Sequence, residues 1–168
     1  SFSISSIYAD TNNKGKVIYL SLNRTSLENL LEIPIIKEKT SNSGYVALMT
    51  TKGDGSNTDQ KSFASIGSGV RANVLDEDYV KFETLNEAAT GVKSWAIGNI
   101  KINRNINQNT DNGGYGATLG MLGTTLNKNN LKVALLGNSD IKKNDDLKKI
   151  RNLALVCMDE NGRVQSGN

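Results

Sequence analysis

GDGSNTDQKSFASIGSGVRA, residues 53–72, is the stretch that decides how this chain is read. A loop of small polar residues passes into a run with helical character, and the run closes on Gly67-Ser68-Gly69. Asn57 or Thr58 suits the N-cap, where a short side-chain oxygen accepts one of the free N–H groups of the first turn. Asp59 complements the positive end of the helix dipole, and Gly69 stands where a helix stop belongs. These signals predict a helix over about 59–68. The same residues permit a second reading. A helix N-terminus presents free N–H groups and partial positive charge, which suits phosphate or sulfate. Gly53 and Gly55 would let the backbone approach such an anion, with Ser56 and Asn57 beside them. The glycine spacing is neither a Walker A loop nor a dinucleotide fingerprint. Helix start and anion site both stand as readings of Thr58-Asp59.

Toward the N-terminus, KVIYLSL (16–22) is β-branched and apolar and predicts a buried strand. SLENLLEIPIIKEKT (26–40) follows in rough helical register, with Thr25 or Ser26 as cap and Glu28 in the first turn. Pro34, the single proline, kinks or divides that helix. YVALMTT (45–51) predicts a second strand that feeds the loop before Thr58. Toward the C-terminus, a helical stretch is expected around LNEAATGVKSWAI (85–97). GATLGMLGTTLNKNN (116–130) predicts a helix whose small residues allow close packing on a sheet. LKVALLGNSD (131–140) predicts a strand leading into a loop, and LALVCMDENGRV (153–164) a strand closed by an ENG turn. Alternating strands and helices indicate α/β layering on a largely parallel sheet. Residues 1–15 are read as an N-terminal extension and 16–168 as a single α/β domain.

Composition narrows the chemistry. The chain has 168 residues, 37% hydrophobic and 22% charged, with 20 basic against 17 acidic side chains and a net charge of +3. No dense Lys/Arg stripe interleaved with aromatics occurs, so no nucleic-acid partner is expected. INRNINQNTDN (102–112) reads as a solvated excursion, and DIKKNDDLKKIR (140–151), with its mixed signs, as a solvated helix face. No apolar run approaches the ~20 residues of a membrane span. Cys157, the single cysteine, lies in LALVCMD and is expected to be a buried structural thiol. Histidine is absent. That excludes a Ser-His-Asp or Cys-His centre within the chain and any His-containing zinc site.

In open α/β sheets ligands bind beyond the carboxyl ends of strands. Three segments meet that description: Asn23-Arg24-Thr25, the loop 53–59, and Gly137-Asn138-Ser139-Asp140. Asn138 and Asp140 could hold a cation or polar ligand, although Asn-Ser-Asp is also ordinary turn chemistry. Asp159-Glu160 reads most simply as part of a strand-ending turn.

The order VIYLSLNRTSLENL, GYVALMTT, SFASIGSGVRA, YGATLGMLGTTLNKNNLKVALLGNSD and ALVCMDENGRV, over residues 16–165, resembles the N-terminal half of the alkaline phosphatase superfamily. The likeness is greatest to its membrane-associated bacterial branch. The resemblance implies a three-layer α/β/α fold with a mostly parallel sheet, incomplete in this chain. It also implies two divalent metals (zinc, magnesium or manganese) that activate a hydroxyl at a helix N-terminus for phosphoryl transfer. That places the nucleophile at Thr58, or Asp59 one residue on. Asn23 stands where the family has its first metal-binding aspartate, and Thr58 would share the metal. The family's remaining Asp and His ligands come from a C-terminal half that these residues do not match. The intact protein would be extracytoplasmic and membrane-anchored through segments outside this chain, with a small phosphorylated or sulfated ligand as partner.

Three functions follow. The first is a fragment of a metal-dependent phosphoester or sulfoester hydrolase, inactive as this isolated chain. The second is a non-catalytic extracytoplasmic binding or sensory domain with a degenerate metal site. The third is a small nucleotide- or phosphosugar-binding α/β protein.

Overall fold

A computed structural model describes residues 2–10, 13–22, 25–44, 58–74, 82–84, 97–98, 115–136, 141–143, 146–148 and 150–167. The chain divides into two compact units, Ser1–Met49 and Thr50–Asn168.

In the first unit, β1 (Phe2–Asp10) pairs antiparallel with β2 (Asn13–Leu22). The register runs from Phe2 opposite Leu22 to Tyr8 opposite Lys16, then slips by a bulge before Asp10 meets Asn13. Residues 16–22 are thus a strand, as their β-branched pattern predicts, but not a buried one. Ile18 and Leu20 are 62% and 43% exposed. The residues read as an N-terminal extension supply the partner strand.

Helix α1 (Leu27–Leu31) begins at Ser26, whose Oγ accepts the Asn29 N–H at 3.2 Å. Glu28 sits in that first turn. Its own backbone N–H and the Ser26 hydroxyl hold its carboxyl below the usual carboxylate range. Pro34 divides the segment rather than kinking it. It opens α2 (Pro34–Asn42), a position where the missing N–H has no partner to lose. Leu30 is the buried residue of these two helices.

In the second unit, α3 spans Asp59–Ser68, matching the helix predicted there. It is followed by β3 (Glu83–Thr84), β4 (Ile97–Gly98), α4 (Met121–Lys128), β5 (Ala134–Leu135), β6 (Ile141–Lys143), β7 (Asp146–Lys148), α5 (Ala154–Cys157), β8 (Arg163–Val164) and β9 (Ser166–Gly167). Ala64, Ala72, Phe82, Ile97, Leu119, Leu135, Leu155, Met158 and Val164 belong to one buried cluster, so helices and strands share a core.

The architecture is a mixture of helices and small sheets, α/β in the broad sense. Among the described residues the sheets are β1–β2, β3–β4–β8, β5–β9 and β6–β7. Only β5–β9 is parallel, so the described strands do not form the largely parallel sheet that the strand-helix alternation suggests.

Three segments differ from expectation. Residues 140–151 form no described helix. Instead β6 and β7 make a hairpin with Lys143 opposite Asp146, residue types of opposite charge that favour cross-strand pairing. Asn144 and Asp145, between them in sequence, are residue types that tight turns favour. Residues 154–157 are a buried helical turn rather than a strand, since a short continuous apolar run fits either. Ile97, at the end of the expected helical stretch 85–97, pairs as a strand with Thr84 and Val164. The expected strand 45–51, the remainder of 85–97 and the Asn-rich stretch 102–112 lie outside the described residues.

Candidate functional site at the start of helix α3

Thr58 has extended backbone angles (φ −128°, ψ 158°), and its Oγ1 accepts the Lys61 N–H at 3.3 Å. Its carbonyl accepts the Ser62 N–H at 3.1 Å. Both Thr58 and Asp59 are exposed, and Asp59 occupies the first turn, where a carboxylate is favoured by the helix dipole. Thr58 is therefore the N-cap: its hydroxyl oxygen is turned into its own helix while the residue remains exposed. Asn23, Gly53, Gly55, Ser56, Asn57, Asn138 and Asp140 lie outside the described residues. Among the described residues, no three Asp, Glu, Cys or His side chains gather as a metal-binding group, and no helix is long and apolar enough to cross a membrane.

The far end of α3 is held more tightly. Gly69 closes the helix with φ +72°, a left-handed conformation that L side chains resist. Ser68 Oγ donates to the Ala64 carbonyl at 2.7 Å, and buried Ser65 Oγ accepts the Ala72 N–H at 2.9 Å. The chain leaving the helix is thereby folded back on it. Arg71 places its guanidinium 5.4 Å from the centroid of the Tyr115 ring and donates to the Tyr115 hydroxyl at 3.4 Å. Gly67 lies against the backbone carbonyls of Leu155 and Val156, where a Cβ would collide. The segment Ser65–Ala72, within the SFASIGSGVRA stretch of the resemblance, is thus spent on packing and chain reversal.

The small residues of α4 follow the same logic. A Cβ on Gly123 would collide with the Cys157 and Met158 carbonyls, and one on Gly120 with the Asp159 carbonyl. The close packing predicted for this helix occurs, but against the backbone of α5 and its exit rather than against a sheet.

That exit is the ENG turn. Asp159 Oδ1 accepts the Asn161 N–H at 2.9 Å and the Arg163 N–H at 3.0 Å. The Asp159 carbonyl accepts the Gly162 N–H at 2.9 Å, and the Asp159 N–H donates to the Arg163 carbonyl at 2.9 Å. Thr124 Oγ1 accepts the Glu160 N–H at 2.8 Å. Every backbone N–H from 159 to 163 is engaged, so Asp159 has the turn role that its sequence context suggests. The clamp on α4 through Thr124 has no sequence signal, and neither does the Arg71–Tyr115 pair, because both join residues more than thirty positions apart.

Cys157 is packed against the core and partly buried. Burial pushes its thiol up to about 11, far from the thiolate a nucleophile needs.

Comparison with protein-family models, with curated proteins and with solved structures returns no match.

Proposed function

We propose that this chain is a non-catalytic extracytoplasmic binding or sensory domain of alkaline-phosphatase-like descent, in which ancestral metal-dependent phosphoester or sulfoester hydrolysis does not operate. The observation that carries this reading is the use made of the Thr58 hydroxyl. Its oxygen accepts the Lys61 N–H, as a helix cap does, while the residue stays exposed. A phosphoryl acceptor instead requires a base or metal to take its proton, and the chain has no histidine to act as that base. In this reading residues 53–59 receive a phosphorylated or sulfated envelope ligand at the start of α3, with Gly53, Gly55, Ser56 and Asn57 supplying backbone and polar groups. Asn138 and Asp140 would add a polar subsite. Membrane attachment would lie in segments outside this chain. The three-layer α/β/α arrangement of the family belongs to the same proposal, and the parallel β5–β9 pair is its described support.

A second reading is favoured by an exposed hydroxyl-bearing residue, Thr58, at the N-terminus of a ten-residue helix. There Thr58, or Asp59, would be the nucleophile of a hydrolase dependent on two divalent metals (zinc, magnesium or manganese).

Two measurements separate the readings. Titration with inorganic phosphate and sulfate, followed by amide chemical shifts, should perturb residues 53–59. Aryl phosphates and aryl sulfates with zinc, magnesium or manganese should show no turnover. Thr58→Ala should then cost about 1 kcal/mol of stability, the usual loss of a helix cap. Robust hydrolysis that disappears in Thr58→Ala would replace the first reading by the second. Unperturbed amides at 53–59 would remove the anion site.

A further inference from the structure

The turn after α5 contains an Asn-Gly pair, Asn161–Gly162, with Asn161 exposed. This dipeptide has a reactivity of its own. The Gly162 amide nitrogen loses its proton and attacks Asn161 Cγ. The bond between Cγ and Nδ2 of Asn161 breaks, ammonia leaves, and a five-membered imide remains. Water then adds to one of the two imide carbonyls and opens the ring to aspartate or isoaspartate. Glycine favours the step because no side chain shields its nitrogen.

We infer that Asn161 is a latent deamidation site that the turn holds shut, with Asp159 as the residue that closes it. The attacking nitrogen is not available in the fold: its N–H is donated to the Asp159 carbonyl at 2.9 Å. On either side, the Asn161 and Arg163 N–H groups are both bound by Asp159 Oδ1. Gly162 is held at φ +69°. Thr124 Oγ1, on the Glu160 N–H, anchors the turn to α4. Swinging the Gly162 nitrogen onto Asn161 Cγ requires these bonds to open together. Once opened and converted, residue 161 adds a third carboxylate to Asp159-Glu160, and an isoaspartate adds an extra backbone atom just before β8. Arg163 and Val164 of β8 pair with Gly98 and Ile97, so the modification would loosen the sheet β3–β4–β8.

The test is a time course at neutral pH and 37 °C, with conversion at Asn161 measured by peptide mass spectrometry and isoaspartate assay. The native protein is compared with the same protein in guanidinium chloride, where Asn112–Gly113 serves as an internal clock for an unrestrained pair. Conversion at 161 should be at least about tenfold slower in the native protein than in denaturant, the factor given by a local opening cost of ~1.4 kcal/mol. Asp159→Ala, shown folded by circular dichroism, removes the two Oδ1 bonds on either side of Gly162 while keeping the carbonyl that holds the Gly162 N–H, and should recover part of that factor, about threefold or more. If it does not fold, Thr124→Val provides the milder release and should accelerate conversion severalfold. Equal rates in native and denatured protein would overturn the inference, as would a folded Asp159→Ala that converts no faster than the parent.

Discussion

At the scale of single residues, chemistry-bearing groups in the described parts of the chain are drawn into the fold. Thr58 caps, Ser65 receives the chain leaving α3, and Asp159 organises a turn. Cys157 gives the clearest test of this use, because its thiol is pushed up to about 11 from an ordinary value of 9.0 by burial. The folded state therefore holds its proton where the unfolded chain would release it. The stability linked to this group is fully present below pH 9, and it declines as pH rises through the window from 9 to 11. The decline should reach roughly 2–3 kcal/mol at the upper end. Denaturation curves across that window should be flatter for Cys157→Ala than for the parent, and alkylation of the native thiol should be slow until the protein unfolds. Rapid native alkylation at neutral pH would contradict the assignment of an inert thiol.

At the scale of elements, local signals translate directly where a cap, a stop or a proline is present. Ser26, Pro34, Thr58 and Gly69 delimit their helices because each acts through backbone groups within a few residues of itself. Where the signal is only apolarity it fails. LALVC could be a strand or a buried helical turn, and tertiary packing chooses the turn, since α3 and α4 press glycines onto its backbone. The charge-dense segment 140–151 misleads for a related reason: mixed signs suit a helix or a pair of strands alike, and the chain pairs β6 with β7. The glycines allow a prediction whose sign runs against propensity. An alanine in the middle of an exposed helix is worth about 0.5–1 kcal/mol over glycine. Gly67→Ala and Gly123→Ala should instead destabilise by about 1–3 kcal/mol, because the added methyl meets backbone carbonyls that cannot turn aside. Urea denaturation of the two variants decides the matter, and a stabilising effect at either position would mean that α5 does not lie against these helices.

At the scale of the whole molecule, the local fragments of the second unit are too short to stand alone. Five of its described strands are two residues long, and α5 has four. Isolated elements of that size are unstable in water, so their order must come from burial in a common cluster. Sequence reading catches the apolar runs feeding that cluster but not its connectivity: β4 lies between β3 and β8, and β5 lies beside β9, pairings between distant positions that no local pattern encodes. For the candidate site, the helix and its cap were legible at Thr58, while the partners required for chemistry depend on how separate segments meet. The shared core makes a cooperative response testable. Leu155, fully buried in the cluster, should cost about 2–5 kcal/mol on truncation to alanine. Leu136, 79% exposed at the end of β5, should change stability by no more than about 0.5 kcal/mol. If the second unit melts as one body, Leu155→Ala lowers the denaturation midpoint while the slope of the transition is kept. It should also weaken amide protection in β4, β5 and α3 together, although these elements are far apart in sequence. Protection lost only around α5 would show that the small sheets are held by something other than this core.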